Sequence, residues 1–427
     1  MFFILLCAYA TIYGMEERAR FAVGIDFGSN KIRAVIGRKV NDEVTIVGFG
    51  EANSEGIRRG AISDLQSPIE PLNVCLHKLE NMSGINISGA SVSINTNSIA
   101  STKVDGTVTN VDGSMGRGID DNVIDRLNQT AIEGRVPKNR TTLSLIPFEY
   151  ILDNQGGIRN PYGMIGTRLE IRANVISALT PDVENLNQLC IGAGNLAMHE
   201  VVPAAEAAAT AIVTNRQREN GIGVVNFGGA TTSIAIYDEG ELQYTSVIPM
   251  GSNDITRDLA TILAATPDLA EDVKLRHADG QFKDGKDVTL THGRDQYVFS
   301  RSEINEVIEA RLDEIFEEVH NRLIASGYDK RLPEGLILTG GGAKMRNLDL
   351  YVRSKLSMAV RMGEVLPGIT ATDKNILKPD YTTAIGLMLR DMEAREYNEG
   401  SRHARKHRKS GGNSGGNIFS KFMGFFH

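Results

Sequence analysis

The stretch Phe21-Ala22-Val23-Gly24-Ile25-Asp26-Phe27-Gly28-Ser29-Asn30 returns in altered form as Ile222-Gly223-Val224-Val225-Asn226-Phe227-Gly228-Gly229-Ala230-Thr231-Thr232. Each copy is a short apolar run, then an acid or amide, then a Phe-Gly turn, leading into a second apolar run at 32–36 or 232–237. Short apolar runs bounded by glycine read as strands. A strand–turn–strand unit repeated at so wide a spacing is a duplicated half of a protein, not a solenoid repeat. Glycine lets backbone N–H groups approach an anion, and the hydroxyls of Ser29, Thr231 and Thr232 add donors, so both turns are candidate phosphate cradles. A third glycine turn, Thr339-Gly340-Gly341-Gly342, follows the apolar run 336–338. One such turn is ordinarily a plain hairpin; three, two of them alike, point to a nucleotide cleft. In that cleft Lys31 is expected to neutralise a phosphate, and Asp26 to hold a magnesium ion through water.

Outward from these turns, strands and helices alternate, which indicates an α/β architecture. Residues 44–48 read as a third strand. Residues 68–82 have helical spacing, with Ile69, Leu72, Leu76 and Leu79 on one face. Residues 100–177 are richer in Thr, Asn, Gly and Asp, with strands at 143–151 and 168–175, and read as an inserted small α+β subdomain. Residues 255–334 are charged and helix-dominated.

The chain has 427 residues, 41% hydrophobic and 23% charged, enough for at least two domains with sizeable cores. A net charge of −7 argues against general nucleic-acid binding, which leaves a basic footprint over a whole domain. The basic charge is instead local: Arg402, Arg405, Lys406, Arg408 and Lys409 fall within eight residues, and without those five the rest of the chain stands at −12. An acidic body with a basic tail suits an anionic lipid surface. Cys7, Cys75 and Cys190 lack metal-ligand spacing and read as reduced thiols of a cytosolic protein. The apolar start Phe2-Phe3-Ile4-Leu5-Leu6 lacks the positive n-region of a signal peptide and is too short to span a bilayer. Met15 is the expected natural start, with the upstream segment a gene-start artefact; an N-terminal membrane contact is the alternative.

The end of the chain carries a second legible feature. On a helical wheel Ile418, Phe419, Phe422, Met423, Phe425 and Phe426 fall within one arc of about 160°. Asn417, Ser420, Lys421, Gly424 and His427 occupy the remainder. Such a helix is about 16 Å long, too short to span but suited to lie in a membrane interface. Packing onto the protein's own body is the competing reading. The glycine-rich tether 410–416 and the basic run upstream argue against it, since cations near anionic headgroups contribute about 1 kcal/mol each.

The two phosphate turns and the Leu-Thr-Gly-Gly-Gly turn resemble the actin, heat-shock chaperone and sugar-kinase superfamily. Within it, residues 21–392 resemble the FtsA family of bacterial cell-division proteins. The resemblance is carried by Gly56-Ile57-Arg58-Arg59-Gly60-Ala61-Ile62-Ser63-Asp64 and by the highly specific Gly157-Ile158-Arg159-Asn160-Pro161-Tyr162-Gly163-Met164-Ile165-Gly166-Thr167-Arg168-Leu169-Glu170. Pro249-Met250-Gly251-Ser252-Asn253-Asp254-Ile255-Thr256-Arg257-Asp258 and Tyr381-Thr382-Thr383-Ala384-Ile385-Gly386-Leu387 match too. It implies an actin-like two-lobed fold of duplicated ribonuclease-H-like domains, with ATP and Mg²⁺ between the lobes. By position it places Glu271, Lys274, Gly340, Gly341, Gly342 and Met345 around the adenosine. It also implies a scaffold that polymerises with itself, tethers the FtsZ ring to the cytoplasmic face of the membrane at the division site, and recruits later division proteins. A pilus-assembly-type actin-like scaffold and, further off, a small-molecule kinase of the same superfamily are the alternatives; no general-base Asp motif for a kinase is apparent.

The departures from the family matter. It usually has Asp at Asn226, Gly at Ala230 and Asp at Ser233, and its Glu-Pro begins here as Val202-Pro203. An amide keeps the hydrogen bonds of Asp but loses the charge that draws Mg²⁺, so nucleotide binding with weak or absent hydrolysis is expected. Glu206 either compensates for Val202 or is a plain helix residue.

The expected organisation is an N-terminal extension at 1–20 and a first lobe from 21–99, 178–206 and 365–392, with the insert at 100–177. The second lobe has its core at 207–254 and 335–364 and a small helical subdomain at 255–334. A flexible basic and Gly-rich linker at 393–416 leads to the amphipathic membrane-targeting helix at 417–427.

Overall fold

Arg20–Phe27 (β1), Lys31–Val40 (β2) and Glu43–Asn53 (β3) form an antiparallel meander in a computed structural model that describes residues 20–40, 43–109, 111 and 118–408. The residues before Arg20 and the expected membrane helix at 417–427 lie outside the described residues. Helix α1, Ile69–Ser83, lays Leu72, Cys75, Leu76 and Leu79 on the meander, the spacing that puts one helix face on a core. Gly84, in the left-handed region, stops the helix and returns its N–H to the Glu80 carbonyl. Strand β4, Gly89–Ile94, then pairs parallel to β1.

The insert follows as β5 (Ala100–Thr109), α2 (Asp121–Ile132), β6 (Arg140–Leu152), β7 (Gln155–Ile158) and β8 (Arg168–Leu179). Its sheet runs β5-β8-β6-β7, and α2 closes a separate core around Ile124, Leu127, Leu169 and Ile171. The chain returns through α3 (Thr180–Gly192), β9 (Ala197–Pro203) and α4 (Ala204–Ile212).

The second half repeats the first. Ile222–Phe227 (β10), Thr232–Asp238 (β11) and Glu241–Ile248 (β12) form another meander, with every residue of β10 buried as in the middle of a covered sheet. Then come α5 (Ser252–Ile262), α6 (Pro267–His277), the hairpin β13 (Val288–His292) and β14 (Asp295–Phe299), and the long helix α7 (Arg301–Ser326). Strand β15 (Leu336–Thr339), α8 (Leu348–Leu356), β16 (Val360–Met362), β17 (Ile369–Ala371) and α9 (Thr382–Arg408) complete the described chain.

Among the described residues the first lobe's sheet is ordered β9-β4-β1-β2-β3-β17 and the second lobe's β12-β11-β10-β15-β16. Counted within each half and setting aside β17, which the first lobe adds beyond β3, both read third, second, first, fourth, fifth strand, so the duplication seen in the glycine turns extends to five strands of each sheet. The lobes meet over α4 and α9. Alanine-rich α4 is almost wholly buried, and at Gly386 of α9 a Cβ would stand 1.6 Å from the Ala207 carbonyl oxygen, so the helices cross at backbone contact. Gly24 of β1 admits α9 equally closely.

Three expectations need correction. The boundaries at 206/207 and 254/255 fall inside α4 and α5. Helix α5 begins earlier because Asp254 Oδ2 accepts the Gly251 N–H as its cap, at 2.8 Å. The linker expected from 393 is helical as far as Arg408. That stretch carries good helix formers without an apolar stripe, continues a packed helix, and starts with the i,i+4 pair Asp391–Arg395 at 3.0 Å.

Candidate functional site

The two Phe-Gly turns are superposable in register. Phe27 pairs with Ile32 at the tip of one hairpin, and Phe227 with Thr232 at the tip of the other. In each, a Cβ on the first glycine would meet a carbonyl three residues on: Lys31 at 2.7 Å from Gly28, and Thr231 at 2.8 Å from Gly228. Only glycine allows turns this tight, which leave the peptide groups at the tip toward the cleft.

The turns face each other across the lobes. Asn30 lies over Gly229, where a Cβ would come within 2.7 Å of its amide. Asn30 Nδ2 donates to Asn253 Oδ1 at 2.8 Å, and Asn253 Nδ2 donates back to Asn30 Oδ1. Asn95, just past β4, donates to Thr231 Oγ1 at 2.6 Å. Thr232 Oγ1 donates to the Met250 carbonyl at 2.8 Å. Asn226 is buried, donates to Thr383 Oγ1 at 3.1 Å, and backs onto Gly340, whose positive φ of 91° carries the third turn away from it. Gly342 packs flat on the Phe227 ring, while a Cβ on Gly341 would meet nothing within 4 Å.

Asp26 is the acid of the first turn. Its Oδ1 accepts from Ser93 Oγ at 2.8 Å, and burial pushes its carboxyl above the usual range against the opposing pull of Ser93 and Arg33. Ser29 accepts the Gly60 N–H at 3.0 Å. Lys31, expected to neutralise a phosphate, has its ammonium on Glu51 of β3. Glu51 also takes Arg33 at 3.0 Å, and despite partial burial these cations hold it below the ordinary glutamate range. Arg33 continues to Asp380 at 3.3 Å, and Asp380 to Lys344 beside the third turn at 3.2 Å, an ion chain joining the lobes at their base.

On the adenosine side the residues are also engaged. Lys274 is buried, donates to the Ser252 carbonyl (3.1 Å) and Thr256 Oγ1 (2.7 Å), and pairs with Glu271 at 2.7 Å. Burial lowers its ammonium below the usual lysine value. Glu271 stays part-exposed and bonds Thr256. Met345 packs against the second lobe's core. Glu206 does not replace the missing acid at Val202. It is buried on α4 and paired with Arg390 of α9 at 2.8 Å, and burial raises its carboxyl above the usual range.

The phosphate side of the cleft is thus built from neutral donors and hydroxyls around one carboxylate, Asp26. That donor set fits ATP phosphates on the turns and a hydrated Mg²⁺ at Asp26. The buried Asn95 Oδ1, which has no partner, shows that the ring of bonds is incomplete as it stands. Sequence reasoning missed Ser93, Asn95, Asn253 and Thr383. Because the halves are duplicated, β4 must end at the cleft as β15 does, and that symmetry could have found Ser93 and Asn95. Outside the cleft, a concavity of about 230 Å³ is lined by Lys283, Lys286, Arg301 and Arg346 beside Asp279 and Asp284. Among the described residues no group of three or more His, Cys, Asp or Glu forms a metal cluster, and no helix is long and apolar enough to cross a membrane.

Known proteins agree with this architecture. The PilM-PilN type IV pilus biogenesis complex matches with a TM-score of 0.65 and 14% identity over 87% of this chain and 98% of that one. MreB 5 of Spiroplasma citri bound to AMPPNP matches at 0.53 and 15% over 90% and 99%. The duplicated lobes are those of the actin-like ATPase fold. The family profile described as cell division protein FtsA matches residues 223–386, and that of the SHS2 domain inserted in FtsA matches 96–177. Cell division protein FtsA of Pseudomonas aeruginosa is 30% identical over 381 residues, 87% of this chain and 89% of its own length. That of Neisseria meningitidis is 31% identical over 381 residues (88% and 91%), and that of Borreliella burgdorferi 29% over 412 (95% and 97%). The chain belongs to the FtsA family.

Proposed function

We propose that this chain is an ATP-binding cell-division scaffold that tethers FtsZ to the cytoplasmic face of the membrane at the division site and recruits later division proteins. The observation that carries the reading is the inserted subdomain: its four-stranded sheet and single helix occupy the stretch matched by the insert of FtsA relatives. The likeness to the pilus complex is one of fold and gives the pilus-assembly alternative no further support.

In this reading the turns at 28–30 and 228–232 would hold the phosphates of ATP, and Glu271, Lys274 and Gly340 to Gly342 would flank its adenosine. Bound Mg²⁺ would supply charge neutralisation for the phosphates, with Asp26 holding its water shell. Asn226 donates a hydrogen bond but cannot take a proton from water, and with Asp26 assigned to the metal's water shell the second turn, 226–232, contains no acid to act as general base. Hydrolysis is therefore weak or absent, and the nucleotide acts as a structural switch. Turnover at or above about 1 s⁻¹ by the purified protein with ATP and Mg²⁺ contradicts this.

Exposed Ile165, Met164 and Tyr162 on the insert offer apolar surface for contact with further copies of the chain. The cationic rim formed by Lys283, Lys286, Arg301 and Arg346 suits an acidic segment of a partner. The test of the scaffold role is bridging: FtsZ should pellet with anionic liposomes only when this protein is added. FtsZ left in the supernatant while this protein pellets refutes the tether.

A further inference from the structure

We infer that Asn30 and Asn253 form an amide clasp that locks the lobes over bound nucleotide and sets how fast it leaves. The inference rests on the nucleotide reading above and assigns a positioning role to two residues of that cleft.

The pair is reciprocal, each side chain donating to the other's oxygen, and it joins the first-lobe turn to the start of α5 in the second lobe. It is also built in. Gly229 has no side chain where the Asn30 amide lies, and any Cβ there would collide at 2.7 Å. The Asn253 N–H donates to the Gly229 carbonyl at 2.7 Å, and the Ser252 N–H to the Gly228 carbonyl at 3.0 Å. The clasp is thereby fixed to the second phosphate turn, and a shift of that turn moves Asn253 with it.

The chemistry suits a polyphosphate. A primary amide has two N–H donors, and the clasp uses one from each residue. Each keeps a free N–H for a phosphate oxygen while the pair remains closed. The Asn95–Thr231 bond does the same nearby: Thr231 Oγ1 accepts from Asn95, so its own proton is free to donate to an anion. Closing the lobes and holding the phosphates therefore reinforce each other, without a counter-charge from either asparagine. A carboxylate at position 30 would face the Asn253 oxygen and the phosphates alike.

The test compares Asn30→Ala, Asn253→Ala and the double variant in the full chain, reading the release rate of a fluorescent ATP analogue after a chase with ATP. Loss of two hydrogen bonds of ordinary net worth predicts release about five- to 150-fold faster in each single variant. The double variant should release more slowly than the product of the two single effects, because both remove the same clasp and only the separate phosphate contacts add. Wild-type release rates in the singles, or effects that multiply in the double, overturn the inference. A second readout separates it from the nucleotide reading: hydrogen exchange of amides 228–231 and 252–254 in protein without nucleotide. If wild type binds no ATP, the nucleotide reading fails. Faster exchange in Asn30→Ala then still supports the clasp as the lobe link, and unchanged exchange overturns it.

Discussion

Replacing Asn226 by Asp separates nucleotide binding from nucleotide chemistry. The side chain is buried, its Nδ2 donates to Thr383 Oγ1 at 3.1 Å, and its Oδ1 fills the space that a side chain on Gly340 would need. Asp is isosteric, so the turn keeps its shape. The donor is lost, and Thr383 can reverse its hydroxyl to donate in return, which limits that part to about 0.5–1.5 kcal/mol. Burying an acceptor that carries charge brings the total above the ~1–3 kcal/mol of a neutral polar group in protein without ligand. The gain is a carboxylate able to accept a proton from attacking water, and positioned bases contribute about 10²–10⁴-fold. The assay pairs single-turnover phosphate release from ATP and Mg²⁺ with urea unfolding of the free protein. We expect release at least about 10²-fold faster than in the native protein, together with that loss of stability. A variant that binds ATP normally yet releases phosphate at the native rate refutes the reasoning and moves the block elsewhere, Val202 being the next position to change.

Three further outcomes follow from buried groups. Asp26 has a folded-state pKa above its unfolded value, so its stabilising contribution is complete below the unfolded value and is lost as pH rises through the folded one. Asp26→Asn should therefore resist urea better than wild type at neutral pH without ligand, while Mg²⁺ no longer strengthens its ATP binding in a titration. Arg390→Met leaves Glu200 and Glu206 facing each other without the guanidinium that bonds both, a loss of about 3–5 kcal/mol in urea unfolding. That deficit should shrink as pH falls and Glu206, whose carboxyl burial already holds above the usual range, takes up a proton. Gly386→Ala forces apart the α4–α9 crossing, where the new Cβ would stand 1.6 Å from the Ala207 oxygen, and should cost at least about 1–3 kcal/mol by the same measurement.

The fold was legible because its signals are local: apolar runs ending in Phe-Gly turns fix both hairpins, and Leu72, Leu76 and Leu79 fix α1. The site was legible along the turns themselves, in Asp26, Asn30, Asn226 and Thr231 as well as in their glycines. The partners that complete it, Asn95 on Thr231 and Asn253 on Asn30, are brought together by lobe closure from far apart in sequence, and nothing in their neighbours announces the pairing. Lys31 looked like a phosphate ligand because it follows the turn. Glu51, the register partner of Arg33 and diagonal to Lys31 across the two strands, claims it, through a pairing that short-range pattern does not specify. Residues 393–408 looked like linker because they have no apolar stripe, yet a helix already packed at Ile385 and Met388 continues through charged residues of good propensity.

The proposed tether requires the end of the chain to put a nucleotide-binding body on a membrane. Co-sedimentation with liposomes containing anionic lipid, using protein from Met15 with and without residues 411–427, tests this requirement. The longer protein should pellet with lipid, less so at high salt, and the truncated one should stay in the supernatant while remaining folded. Equal pelleting of both proteins would contradict it.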